Sequence, residues 1–270
     1  MNENFLKEKA HKVRKETFDI YKISPGIRLA SSLSDVEIFV ALYYGGILKF
    51  DSKDPNWKER DRFIISKGHG SISLYPILAD LDFFDKKELA RISHKGSFLG
   101  DIPDTRIPGY ETINGSLGHG LGVACGIALA LKRKKSDSKV FVLMGDGELN
   151  EGSVWEAVMF AGHHKLDNLI AIVDNNKTSM LDRSKNIIDL EPLEEKFSDF
   201  KWETERIDGH DVVKVCESLK NLKEDSSGFP KVLIADTVKG KGISQLENDI
   251  MSHSRVLNKE EIIEITEKLR

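Results

Sequence analysis

The sequence predicts an α/β fold, a parallel sheet with helices on both faces. The first reason is a set of short apolar runs at residues 62–67, 140–144, 169–173 and 232–235, rich in Val and Ile. Strands buried on both faces read as continuous apolar runs, whereas half-exposed strands alternate. The second reason is that segments with helical spacing lie between these runs, and such alternation marks a parallel sheet. The third is that each run ends in polar or glycine-rich residues. In open parallel sheets, ligands sit beyond the carboxyl ends of the strands.

Residues up to about Ile23 show helical periodicity with alternating charge. Ser34 and Asp35 stand before the apolar run 36–48, which reads as a buried helix with a Ser or Asp cap. The strand 62–67 ends at Gly68-His69-Gly70, and 71–81 reads as the helix that follows. Residues 114–122 form a glycine-rich turn, and the small residues of 123–135 suit a helix packed closely on a flat surface. The strand 140–144 runs straight into Gly145-Asp146-Gly147, and a helix follows over 155–165. The strand 169–173 ends at Asp174-Asn175-Asn176, and the strand 232–235 at Asp236-Thr237. From Asn258 onward the pattern is that of an amphipathic helix. No repeat or Pro- or Ser-rich linker interrupts the chain, so one continuous domain is expected over 1–270.

Composition narrows the function classes. Of 270 residues, 40% are hydrophobic and 31% charged, with thirteen Phe, which supplies a sizeable core and argues against disorder. The formal net charge is −4, without the basic excess of a nucleic-acid binder. The dense basic run Lys132-Arg133-Lys134-Lys135 falls at an expected helix end. Cys125 and Cys216 each stand alone, which excludes a disulfide framework and fits a reducing compartment. The N-terminal stretch is charged, without a signal-like apolar core, and no run of about eighteen apolar residues suggests a membrane span. A cytoplasmic protein is expected.

Chemistry concentrates at two strand ends. Asp146 and Asn176 stand thirty residues apart, about one strand–helix–strand excursion, so both return to the same sheet edge. A carboxylate beside an amide oxygen suits a hard divalent cation such as Mg²⁺, which takes few protein ligands and leaves others to phosphate. The flanking glycines let the backbone approach a diphosphate and offer it N–H groups. Gly-Asp-Gly alone would be an ordinary tight turn. Its pairing with Asn-Asn after a second buried strand favours a site.

The stretch GDGELNEGSVWEA followed by HHKLDNLIAIVDNNK resembles the thiamine-diphosphate motif of the transketolase family. DRFIISKGHG, IPGYETINGSLGHGLGVACGIALA, DGHD and DTVKGKG resemble the same family, together spanning about Ser24 to His253. The resemblance implies a thiamine-diphosphate-binding fold, specifically its diphosphate-binding domain. It implies Asp146, Asn176 and the Thr178 carbonyl as Mg²⁺ ligands. It implies that His69, His253 and the Gly147 N–H face the cofactor diphosphate, and that Gly115 and Leu117 border the aminopyrimidine ring. It sets Glu151 at a subunit interface, in a carboxylate network linking paired active sites. His69, Glu151 and His253 are the implied catalytic residues.

Full-length transketolases are over twice as long as this chain, with added pyrimidine-binding and C-terminal domains. The pyrimidine-binding domain carries a Glu that acts on the aminopyrimidine, and no equivalent is assigned here. The resemblance therefore implies a chain inactive alone, pairing with a C-terminal transketolase-like subunit in a two-plus-two heterotetramer that acts on small-molecule sugars. Two family histidines are replaced: Arg28 and Ile102 stand at their positions. Arg28 stays charged near neutral pH, so it suits anion binding rather than base catalysis. Three readings follow: ketol transfer between sugars, a related acyloin-forming or decarboxylating transfer from a 2-oxo acid or onto a modified or nucleotide-linked sugar, and a non-catalytic cofactor-binding subunit.

Overall fold

The computed structural model describes residues 2–247 and 249–269. Strands β1 (Arg62–Ile65), β2 (Val140–Gly145), β3 (Leu169–Asn175), β4 (Glu203–Asp208) and β5 (Lys231–Asp236) form one sheet in the order β1-β2-β3-β5-β4. Every pairing is parallel, with Leu143 opposite Ile65 and Ile172, and Asp174 opposite Gly145 and Ala235. Ten α-helices accompany it among the described residues: α1 (Glu3–Ile23), α2 (Leu29–Leu33), α3 (Val36–Tyr44), α4 (Leu74–Asp80), α5 (Gly120–Arg133), α6 (Gly152–His163), α7 (Ser184–Ile187), α8 (Leu193–Asp199), α9 (Val212–Glu224) and α10 (Lys259–Lys268).

Strand alternation divides the apolar residues between two cores. Phe141, Leu143, Ile170, Ile172 and Leu233 face one side, where they pack with residues of α1, α3, α4 and α9. Val140, Val142, Met144, Leu169, Ala171, Val173 and Ile234 face the other, under α5, α6 and α8. The double burial is why the central strands read as unbroken apolar runs. No helix among the described residues is long and apolar enough to cross a membrane.

Several boundaries differ from the expected ones. The helix expected over 36–48 stops at Tyr44, because Gly45 ends it and Gly46 adopts φ +71°. Neither Ser34 nor Asp35 caps it, since both side chains are drawn into a buried polar network. The helices expected from 123 and 155 begin earlier, at Gly120 and Gly152, and the one expected from 71 begins at Leu74. The apolar-run criterion does not pick out β4. It is a charged edge strand whose Arg206 pairs with Glu191, Glu194 and Asp236.

Candidate cofactor site

The carboxyl ends of β1, β2, β3 and β5 open toward one cavity of about 200 Å³. It is lined by, among others, His69, Leu117, Asp146, Gly147, Asn176, Thr178, Lys239 and His253. Local rules shape its walls. A Cβ on Gly68 would lie 2.2 Å from the Asn114 carbonyl oxygen, so only glycine lets the end of β1 pass the 114–120 turn. Gly118 in that turn has φ +81°, and its N–H donates to Glu148 Oε1 at 2.8 Å. Glu148 is buried and also accepts from Ser66 Oγ and the Gly145 N–H, while Ser66 Oγ accepts from the Gly120 N–H at 3.0 Å. One carboxylate thus ties the end of β1, the glycine-rich turn and the end of β2. Burial pushes its pKa up, against the pull of Ser66 and the backbone donors.

Asp146 is buried, and Ser184 Oγ donates to it at 2.7 Å. Burial pushes its carboxyl up, and the charge of Asp174 adds to the rise. Among the described residues no cationic side chain pairs with it. Asn176 Nδ2 donates to Asp174 Oδ2 at 2.7 Å, and Asn176 Oδ1 accepts from the Thr178 N–H at 3.1 Å. The Thr178 carbonyl accepts from the Lys239 ammonium at 3.3 Å. A buried carboxylate, an amide oxygen and a carbonyl therefore line one cavity, and the cavity already draws a cationic side chain to its carbonyl. A buried acid with no cation in direct contact is costly, so this oxygen set fits a small hard cation. No group of three His, Cys, Asp or Glu converges on a metal-binding geometry among the described residues.

His69 and His253 face each other with ring centroids 5.3 Å apart. Burial lowers the His69 pKa to about 3, aided by repulsion from Lys67. Burial lowers that of His253 to about 4, aided by Lys239 and Arg28. Both rings are therefore neutral at pH 7, each with one N–H donor and one bare ring nitrogen. Burial, with repulsion from Lys67, brings the Lys239 pKa down to about 8.

At the back of the cavity lies a charged network. Lys67 is fully buried and donates to Asp174, to Asp35 Oδ1 at 3.0 Å and to the Ser31 carbonyl at 3.4 Å. Asp174 also accepts from Thr237 Oγ1 and, at 2.9 Å, from Ser34 Oγ. Burial opposes charge on all three. Lys67 nevertheless holds Asp174 below the ordinary carboxylate range, while burial drives Asp35 well above it.

The structure brings His69, Leu117, Asp146, Gly147, Asn176, Thr178 and His253 together around the cavity. Gly115 and Glu151 lie outside it. Gly115 is exposed in the turn, and Glu151 is the exposed N-cap residue of α6, without a side-chain capping bond. Arg28 is half-buried and close enough to His253 to lower its pKa, with no side-chain hydrogen bond or ion pair of its own among the described residues. Ile102 is 41% exposed. His119 lies with Nδ1 2.8 Å from the Leu117 carbonyl oxygen, within its own turn. A second cavity of about 350 Å³ shares Asp146 and is lined by Lys177, Arg183 and Lys185. Neither His69 nor His253 lines it, so the convergence of chemistry is in the smaller one. Sequence reading missed Lys67, Glu148, Asp174 and Lys239. Lys67 and Lys239 lie inside the quoted motifs SKGH and VKGKG, and Glu148 follows Gly-Asp-Gly directly.

A parallel sheet whose neighbouring strand ends bring a buried acid, an amide and glycines to one cavity fits a diphosphate-binding α/β domain. The chain belongs to the transketolase family: residues 19–270 match the model of its thiamine diphosphate binding domain. It is 39% identical over 267 residues to an apulose-4-phosphate transketolase subunit of Actinobacillus succinogenes, covering 98% of this chain and 96% of that protein. It is 38% identical over 257 residues to the 6-deoxy-6-sulfo-D-fructose transketolase subunit SqwG of Clostridium sp. (strain MSTE9), covering 94% and 92%. The solved transketolase of Campylobacter jejuni superposes with a TM-score of 0.91 at 32% identity, covering all of this chain and 43% of that one. The chain therefore spans nearly the whole of two relatives named as subunits, and under half of that solved transketolase.

Proposed function

We propose that this chain is the diphosphate-binding subunit of a two-chain, thiamine-diphosphate-dependent transferase that moves a two-carbon ketol unit between sugars. The observation that carries the proposal is the single cavity where Asp146, Asn176, His69 and His253 meet at parallel strand ends. Near full-length alignment with relatives named as transketolase subunits supports it.

Mg²⁺ is the cation that fits Asp146, the Asn176 amide oxygen and the Thr178 carbonyl, because it keeps coordination positions open for phosphate oxygens. His69, His253 and the Gly147 N–H are assigned to the diphosphate, and Gly115 and Leu117 to the border of the aminopyrimidine. When bound, thiamine diphosphate supplies a nucleophilic carbon, and the protein supplies orientation and proton management. His69 and His253, neutral at pH 7, each offer one ring N–H to donate to a phosphate oxygen. Glu151, exposed beside the glycine-rich turn, is assigned to the interface with the second polypeptide. That partner would bring the pyrimidine-binding and C-terminal portions, in a two-plus-two assembly. Buried, free Cys125 and Cys216 support a cytoplasmic setting.

A second reading rests on Arg28 and Ile102. A guanidinium beside His253 without a carboxylate of its own suits an anionic substrate group, and Ile102 makes the approach more apolar. This favours a 2-oxo acid donor, or a modified or nucleotide-linked sugar. Product analysis with a 2-oxo acid donor separates the two readings. Unchanged substrate affinity in Arg28→Ala would remove the anion-binding role.

Calorimetry tests the main proposal: thiamine diphosphate titrated with and without Mg²⁺ into wild type and Asp146→Ala, alone and with the candidate partner. The expected result is Mg²⁺-dependent binding that strengthens with the partner and is lost in the variant. Absence of binding in every combination overturns the proposal in favour of a non-catalytic subunit.

A further inference from the structure

We infer that Asp174 is a positioning residue that sets the orientation of the Asn176 amide toward the cation site. The inference deepens the proposed function and rests on its assignment of Asn176 as a ligand. A side-chain amide can point either way, and its surroundings decide. Here two contacts decide it independently. A backbone N–H can only donate, and that of Thr178 does so to Asn176 Oδ1 at 3.1 Å. On the other side, the fully buried Asp174 receives Nδ2 at 2.7 Å. Oδ1 is thereby turned away from Asp174, to the Thr178 side, where Thr178 and Asp146 line the same cavity.

Asp174 can do this because it is itself held from several directions. Lys67 from the end of β1, Ser34 from the α2–α3 junction and Thr237 from the end of β5 all donate to it. The carboxylate is therefore a fixed point, and Asn176, its fourth donor, is the one assigned to the cation. A group that orients a metal ligand through a hydrogen bond typically changes metal affinity about tenfold to a hundredfold when removed.

The test uses the full chain with thiamine diphosphate, titrated with Mn²⁺ as a paramagnetic stand-in for Mg²⁺ and read by electron paramagnetic resonance. Asp174→Ala, which removes the acceptor of the Asn176 amide, should weaken Mn²⁺ binding about tenfold or more in the wild-type background and less than about twofold in an Asn176→Ala background. Equal losses in both backgrounds, or none in either, overturn the inference. Because Asp174→Ala disturbs a buried network, Asn176→Asp provides a second arm. A carboxylate is the better ligand for a hard cation, so without positioning this variant would tighten Mn²⁺ binding. With positioning it weakens binding, because the new carboxylate has no proton to donate to Asp174 and repels it. Tighter binding by Asn176→Asp overturns the inference. If the wild type takes up no Mn²⁺, the ligand assignment fails first, and the positioning role falls with it.

Discussion

His69 and His253 are paired histidines that burial and nearby cations keep uncharged. This has a consequence for stability. Their folded pKa values, about 3 and about 4, lie below the ordinary histidine value of 6.5, so the unfolded chain takes up protons first as pH falls. Their contribution is therefore constant above about pH 6.5 and becomes increasingly destabilising below it, until the folded rings protonate. Urea unfolding between pH 7 and pH 5 should show a shallower loss of stability in a His69→Gln/His253→Gln double variant than in the wild type. An identical pH slope would mean that these rings titrate normally. At this scale the sequence exposed Asp146, Asn176 and the histidines, because motifs and strand ends mark them. It did not expose Lys67, Glu148 or Asp174. A buried ion looks like any surface ion when its partner is distant, and Lys67 meets Asp174 across 107 positions.

Secondary structure was most legible where burial is two-sided. Phe141 in β2 is fully buried, and its truncation to Ala should cost about 3–5 kcal/mol in chemical denaturation. β4 was illegible because Glu203–Asp208 is an edge strand, stabilised by pairing with β5 and by ion pairs rather than by apolar content. Helix ends depended on side-chain choices that only the fold decides. Asp211 does cap α9, accepting from the N–H groups of Val213 and Lys214, each at 3.2 Å. Asn258 caps α10 in a reciprocal box with Glu261. Asp211→Ala and Asn258→Ala should each lower stability by about 1 kcal/mol. Ser34 and Asp35 read equally well as caps, yet both serve the Lys67–Asp174 network instead. Gly118→Ala should be worse than an ordinary loop change, since φ is +81° and the added Cβ would lie 2.6 Å from that of Glu151. Thermal denaturation of that variant checks this directly.

For the molecule as a whole, the proposed two-chain assembly gives a plain expectation. Sedimentation of the chain with its partner should yield a larger species that alone supports turnover, and activity of the isolated chain would contradict it. The resemblance to transketolases made the overall architecture readable, because the motifs are spread along the whole chain. The threads that hold the cavity also cross long stretches of sequence. Ser34 reaches Asp174 across 140 positions, and Ser66 reaches Glu148 across 82. Parallel pairing allows no local shortcut between these partners, because neighbouring strands must be joined by long crossovers. Loop-closure entropy then delays such contacts in folding. The cavity should therefore be among the last parts to form and should open only when the whole molecule opens. In native-state hydrogen exchange, the Gly118, Gly120 and Gly145 amides, which donate to Glu148 or Ser66, should exchange with the same free energy as the centre of β3. Faster, independent exchange there would mean that the cavity breathes on its own. If the free energies match, newly made chains acquire a competent site only at the final cooperative step, and none carries a half-built one.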